Sequence, residues 1–503
     1  GGDNVTAASI GLAATLGANP IDTTSGDATV TVAYTAHGMV AGDRFKLRDS
    51  TATGGIDANE INTEHLVGTV VDANSFTFEA VATASSTATG GGSVVRIYKT
   101  IAAGSLNQDA ATGFGAGLAG EGIFGVGGSA VSAQSYPRIW SGEQFGNAIV
   151  MCPSDYLSGD GQKLYFWDGN AAIAPTVLAN APTDCNWVTV VNNGIVAIRG
   201  NRVQVGQLGD GTVWGGVTAP FTSRELSVWK IISAVNYTEK DGVLFTPNKV
   251  LLLSYIGGAD LWDLREIFNE DGIIAPNASC VVDTKLFWRG NRASYVFDGA
   301  PPRMVDNTQN DDWINDNINT AQSWKCFAYS DPQNSQWYFH FPTDTNAEPS
   351  DYVIHNIRNG SHTLGKMNRT AAQQVPIIDG LFLMANSTSE STAGTFYRHF
   401  TTGAVTFDWY AQTHFAYIAA GERRGFLRKF FPDSSQSGAC ALSVITREYP
   451  QGADTIGAGK TFLQTTKYIT AKAGGKLISL KFSGNTEFTI GGWIMDIITR
   501  GRR

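Results

Sequence analysis

Two groups of carboxylates are the first residues in this 503-residue chain whose types and spacing could do chemistry. Asp260, Asp263 and Glu266 form one group, and Asp306, Asp311, Asp312 and Asp316 form the other. Cleavage of a glycosidic bond takes two carboxyl groups facing each other across that bond, one as acid and one as base or nucleophile. Trp262, beside Asp263, adds an aromatic face against which a sugar ring could lie. One candidate chemistry is therefore glycan binding or polysaccharide cleavage. The competing reading is solvated loop carboxylates, the ordinary state of such residues.

Other chemical motifs fall short of a site. The seven His (His37, His65, His340, His355, His362, His399, His414) show neither His-x-x-x-His nor His-Glu-x-x-His spacing, so no metal centre and no cofactor are expected. The five Cys (Cys152, Cys185, Cys280, Cys326, Cys440) are widely spaced with no Cys-x-x-Cys pair. They read as buried free thiols, not as zinc ligands or a disulfide framework. Gly115, Gly117 and Gly120 spell Gly-x-Gly-x-x-Gly. A dinucleotide site needs a strand before that motif and a helix after it, whereas here more glycines follow. No nucleophile elbow and no P-loop occur, so no catalytic role is expected.

A third group is basic. Arg423, Arg424, Arg428 and Lys429 fall within seven residues, and Arg500, Arg502 and Arg503 close the chain. Residues 421–503 hold 13 Lys and Arg against 6 Asp and Glu, a balance of +7, which leaves −16 for residues 1–420. An acidic body with a basic end points to contact with an acidic partner, and a neighbouring copy of the body would serve. These seven cations are the candidate contact residues.

The elements that must position these groups are strands. Charged residues are 16% of the chain and Gly is 57 of 503 residues, a composition that folds and spends many residues on turns. The tetrapeptide Arg-Gly-Asn-Arg occurs at residues 199–202 and again at 289–292, each time between short apolar runs. Such runs around a Gly-Asn turn predict hairpins. The copies stand 90 residues apart, twice the ~45 residues of a four-stranded propeller blade. An aromatic-Asp-Gly ending also recurs, at Trp167-Asp168-Gly169 and Phe297-Asp298-Gly299.

The expected fold is all-β and propeller-like, with about six blades centred on 136–170, 185–215, 225–266, 272–303, 320–361 and 370–410. Ahead of it the alternating runs of residues 28–97, such as Ala28 to Val32 and Ser75 to Glu79, predict a small inserted β module. In that module, Ile61 to Val71 reads as one strand. Residues 1–27 are an Ala/Gly-rich N-terminal segment, and 98–135 a glycine-rich connector. The body covers 136–410 and a C-terminal β domain covers 411–503. No run of ~18 apolar residues occurs, so no membrane span is expected. The chain opens on Gly1, not Met, which suggests an upstream piece.

The order of these motifs resembles that of nozzle or tail-hub proteins of short-tailed bacteriophages, also called tail tubular or DNA-stabilisation proteins. The resemblance is carried by Ala36-His37-Gly38, Gly42-Asp43, Asp72-Ala73-Asn74-Ser75-Phe76-Thr77-Phe78, Gly90-Gly91-Gly92 and the glycine-rich stretch Gly113 to Gly128. It continues with Trp140-Ser141-Gly142-Glu143-Gln144-Phe145-Gly146, Leu164 to Gly169, Gly272 to Pro276, Tyr352 to Asn356 and Gly491-Gly492-Trp493 to Arg503. Gly360-Ser361-His362-Thr363-Leu364-Gly365 departs from the pattern, which has an aromatic there. The resemblance implies a structural protein of the virion tail, made in the host bacterial cytoplasm. It implies a six-fold homo-oligomeric ring below portal and adaptor that closes the channel and then conducts double-stranded DNA. It also implies tail fibres or spikes as partners. The alternative is a tail-borne glycan-binding or polysaccharide-degrading propeller. An extracellular adhesin is a third reading.

Overall fold

The computed structural model describes residues 7–102, 105–108, 136–154, 163–169, 175–215, 224–225, 230–258, 261–305, 308–375, 381–386, 396–398, 408–419, 423–486 and 488–499. The chain divides into two compact units, Gly1–His399 and Phe400–Arg503.

The first unit begins with a two-sheet module. One sheet pairs Ala7–Thr15 with Arg96–Ala102, then Arg44–Arg48 and Glu64–Leu66; the other is five-stranded and centred on Thr29–Ala33 and Ser75–Glu79. Alternate residues turn inward, as a strand's period of two requires, so Val30, Val32, Phe45, Leu47, Phe76 and Phe78 form the core. The sheets reach beyond 28–97 on both sides. Ala7–Thr15 is made mostly of small residues, which give alternation little contrast. Residues 61–71 also differ from the single strand expected. Asp57 caps a short helix, Ala58–Ile61, by accepting from the Asn59 amide at 2.7 Å. Two short strands follow, Glu64–Leu66 and Val70–Asp72, one in each sheet.

The body is a run of six antiparallel meanders in chain order. Five have four strands and the sixth has three among the described residues; they span 139–177, 187–225, 233–268, 279–304, 327–366 and 369–398. Apolar side chains join each sheet to the next. Val150, Cys152, Val188 and Ile195 pack between the first two sheets. Trp187, Ile198, Leu251 and Trp262 pack between the second and third. Phe245, Trp288, Tyr295, Trp337 and Phe339 run through the third, fourth and fifth. Tyr329 and Tyr338 of the fifth meet Ala372 of the sixth. Successive sheets stacked face to face in chain order make the fold propeller-like. Both aromatic-Asp-Gly sequences end the third strand of their sheet and pass into a left-handed glycine, Gly169 at φ +84° and Gly299 at φ +94°.

Between the fourth and fifth sheets the chain forms a helix, Thr308–Asn317, and a 3-10 segment, Thr320–Lys325. Neither follows from strand periodicity. The 3-10 segment holds the residues that come after the module. Gln108 and Gln322 exchange backbone–side-chain hydrogen bonds at 3.2 and 2.9 Å, and Lys325 Nζ donates to Asn107 at 2.8 Å. The glycine-rich stretch, with Gly115, Gly117 and Gly120, lies outside the described residues. In the fifth sheet, the departing segment 360–365 leads into the outer strand His362–Lys366. A Cβ at Gly365 would stand 2.2 Å from Tyr352, so the missing side chain makes room for that aromatic ring.

The second unit is a sandwich. Leu477–Gly484 and Cys440–Arg447 lie at the centre of a six-stranded sheet. Gly425–Gln436 lies between Ile469–Gly475 and Phe488–Thr499 in a three-stranded one. Leu427, Phe430, Leu442, Phe462, Leu480 and Phe482 fill the space between them.

Candidate functional site: the basic sheet of the C-terminal unit

The first four basic candidates stand at the head of Gly425–Gln436, the middle strand of the three-stranded sheet. Leu427 and Phe430 face the core, three residues apart, because a bulge shifts the register between Leu427 and Lys429. The bulge frees Arg428 and Lys429 from strict alternation. Arg428 meets Asp496 of the neighbouring strand at 2.6 Å. Lys429 lies 4.2 Å from the Tyr468 ring centre, a cation–π contact. Arg424 pairs with Glu448. Arg423 is exposed. Three of the four therefore already meet a carboxylate or a ring of their own chain, a sharing that the count of charges did not show. Arg500, Arg502 and Arg503 lie outside the described residues.

Around these cations the sheet carries apolar groups. Phe426 stands opposite Ile498, and Phe431 opposite Ile494. Phe431 also approaches Tyr468, with ring centres 5.9 Å apart. Ile494 is 70% exposed, and Ile498, Tyr468 and Trp493 are exposed as well. Phe488–Thr499 runs for 12 residues at the sheet edge, and among the described residues no strand pairs with its second side. Such an edge is a row of backbone donors and acceptors ready for another strand.

Among the described residues, the carboxylates are not presented as the glycan reading requires. Asp263 is exposed on the outer strand Leu261–Phe268 of the third sheet, while Trp262 is 5% exposed and packs inward against Tyr255. Adjacent residues on a strand face opposite ways, so the indole is withheld from any ligand at Asp263. Glu266 is held by Lys249 at 2.6 Å. Asp260 and Asp306 lie outside the described residues. Asp312 and Asp316 are exposed on the helix, and Asp311 faces inward to Arg289.

Arg289 is the polar centre that spacing could not reveal. It is 0% exposed, and it donates to Asp311, to Asn315 Oδ1 at 2.5 Å and to Ser294 Oγ at 3.3 Å. Its guanidinium keeps its charge, since arginine does not deprotonate in proteins. Burial pushes the Asp311 carboxyl up, against the downward pull of Arg289 and Ser294. The group ties a helix to a hairpin and leaves no room for substrate. The five thiols are free; four are buried and Cys280 half-buried. Burial holds the Cys152 thiol well up and Cys185 at about 12, so neither is a nucleophile near neutral pH. Among the described residues no three His, Cys, Asp or Glu side chains gather as metal ligands, and no helix is long and apolar enough to cross a membrane.

No family model and no curated protein matches the chain. Among solved structures it is similar to the computationally designed Ika8 protein, with 12% identity over 50% of this chain and 69% of that one, TM-score 0.33. It is also similar to the phage phi92 endosialidase, with 11% identity over 76% of this chain and 58% of that one, TM-score 0.21. A third is an exo-beta-1,3-galactanase from Phanerochaete chrysosporium, with 8% identity over 79% of this chain and all of that one, TM-score 0.26. Likenesses this distant carry no argument about this chain.

Proposed function

We propose that this chain is a structural subunit of a short bacteriophage tail, a nozzle or hub protein that assembles as a ring and closes, then conducts, the DNA channel. The observation that carries the assembly part of this reading is the C-terminal sheet. A 12-residue edge strand bearing Trp493, Ile494 and Ile498 at its surface is a hazard in a monomer and a joint in an oligomer. The tail part rests on the order of motifs along residues 28–503. Charge fits both. The −16 of residues 1–420 repels a DNA backbone that cationic walls would hold, and it complements the +7 of a neighbour's C-terminal region.

Native mass spectrometry of the purified chain and electron microscopy of virions test the proposal. The expected result is a closed ring at the tail. A strictly monomeric protein absent from virions overturns it. Complementary charge sets rate and register more than affinity, so assembly should slow as salt rises. The glycan-directed alternative draws no support from Asp263, because its neighbouring indole is buried.

A further inference from the structure

His355 and His362 lie directly opposite each other in the fifth sheet, on Asp351–Asn356 and His362–Lys366. They are the last pair before a hairpin turn that passes through Gly360 at φ +68°. His355 Nδ1 stands 2.8 Å from His362 Nε2, and the ring centres are 4.4 Å apart with the planes tilted by 34°. Both side chains are half-buried. Phe287 covers the His355 ring at 5.7 Å, and His362 lines a water-sized cavity of about 10 Å³ with Asp311, Asn310 and Ser294.

We infer that this cross-strand pair is a two-histidine site for a divalent transition metal of square-planar or octahedral preference. Imidazole nitrogen coordinates such ions at ~2.0–2.1 Å. Two nitrogens 2.8 Å apart, each at that distance from one ion, subtend about 85° at it. That is a cis pair in a square-planar or octahedral shell. A tetrahedral ion needs the nitrogens about 3.3 Å apart and would have to spread the strands. The geometry therefore favours Ni²⁺ or Cu²⁺ over Zn²⁺, in line with the preference of these ions for nitrogen ligands. In the metal-free chain one of these two nitrogens donates its N–H to the other; on metal binding that proton moves to the same ring's other nitrogen, and both facing nitrogens are then free to ligate the ion. Among the described residues no third ligand joins them, so water fills the remaining positions.

Titration of the full chain with Ni²⁺, followed by calorimetry, tests the site. The expected result is one equivalent bound in the micromolar range, with Zn²⁺ at least tenfold weaker. His355→Asn and His362→Asn should each remove that equivalent while circular dichroism stays unchanged. Binding that survives both variants, or none up to millimolar Ni²⁺, overturns the inference. A second readout needs no variant. Bound Ni²⁺ should protect His355 and His362, and not exposed His414, from carbethoxylation, as mapped by peptide mass. Equal labelling with and without metal also overturns it.

Discussion

The two Arg-Gly-Asn-Arg turns occupy the same place in two sheets and do different work. Each joins the second strand of its sheet to the third, in the second sheet at Arg199↔Arg202 and in the fourth at Arg289↔Ser294. In the first, Arg199 reaches outward and grips Asp184 with two bonds of 2.5 and 2.8 Å, at a site where Asp184 is exposed. Asn186 accepts from the Gly200 amide at 2.9 Å and fixes the turn. In the second, Asp271 accepts from the amides of Asn291 and Arg292 at 3.1 and 3.0 Å, and the helix Thr308–Asn317 lies over Arg289. The tetrapeptide encodes a turn. What covers the turn decides whether its first arginine is a surface charge or a buried one.

The largest effect should come from breaking the buried pair. Asp311→Ala leaves Arg289 charged and without its carboxylate, and should cost ~3–5 kcal/mol in chemical denaturation. Replacing both residues by apolar ones of similar size should recover much of that loss. If Asp311→Ala costs no more than a surface substitution, burial is not what separates the turns.

The two glycines should separate next. Gly290 is there for space: a Cβ would stand 2.4 Å from Asp271 Oδ2 and 2.8 Å from the Tyr295 ring. Gly200 has open space but a φ of +63°. Gly290→Ala should therefore cost ~1–3 kcal/mol through overpacking. Gly200→Ala should cost ~1 kcal/mol through backbone strain alone. Thermal melts of both variants would show the order, and a reversal would mean that Asp271 moves aside freely.

Acid should act on the buried turn's surroundings more than on the exposed one's. His355, close to that network, is pulled down from 6.5 to about 4 in the folded chain, chiefly by burial. Between those values the unfolded chain binds more protons, so this group's contribution to stability falls as pH drops from 6.5 toward about 4. Denaturation midpoints measured across this window should decline, and His355→Asn should flatten the decline. An unchanged slope in the variant would place the titration elsewhere.

The smallest effect belongs to Arg199→Ala. Its pair with Asp184 is exposed to water, which limits the loss to ~0.2–1 kcal/mol, and salt should reduce it further. A loss as large as that of Asp311→Ala would erase the contrast between the turns.

Much of the architecture was legible because it is periodic. Alternating runs broken by Gly-Asn and Asp-Gly turns place most of the strands, and the spacing of the repeated tetrapeptide matches two successive sheets. Short outer strands such as Thr176–Val177 and Arg303–Met304 carry too few residues to show a period. The helix Thr308–Asn317 is hidden by its Asn and Asp content, which reads as loop. Arg289 and Asp311 are 22 residues apart, and no local pattern links them. His355 and His362 are hidden by register: a two-residue turn at Asn359-Gly360 would set His362 opposite Ile357, whereas the longer loop that forms sets it opposite His355. For the basic cluster, sequence showed the charges but not the carboxylates of the same chain that share them.

The clasp between Gln108 and Gln322 joins positions 214 apart in the chain. Closing so long a loop is entropically costly unless the intervening chain is already compact. The first four sheets lie within that interval, so their assembly must bring the clasp's two halves together. The clasp is then a late event in folding, and its formation reports that the sheets before it are in register. Its second half follows directly on the helix that the buried arginine holds to the fourth sheet, so the clasp ties the chain ahead of the first sheet to the end of that helix.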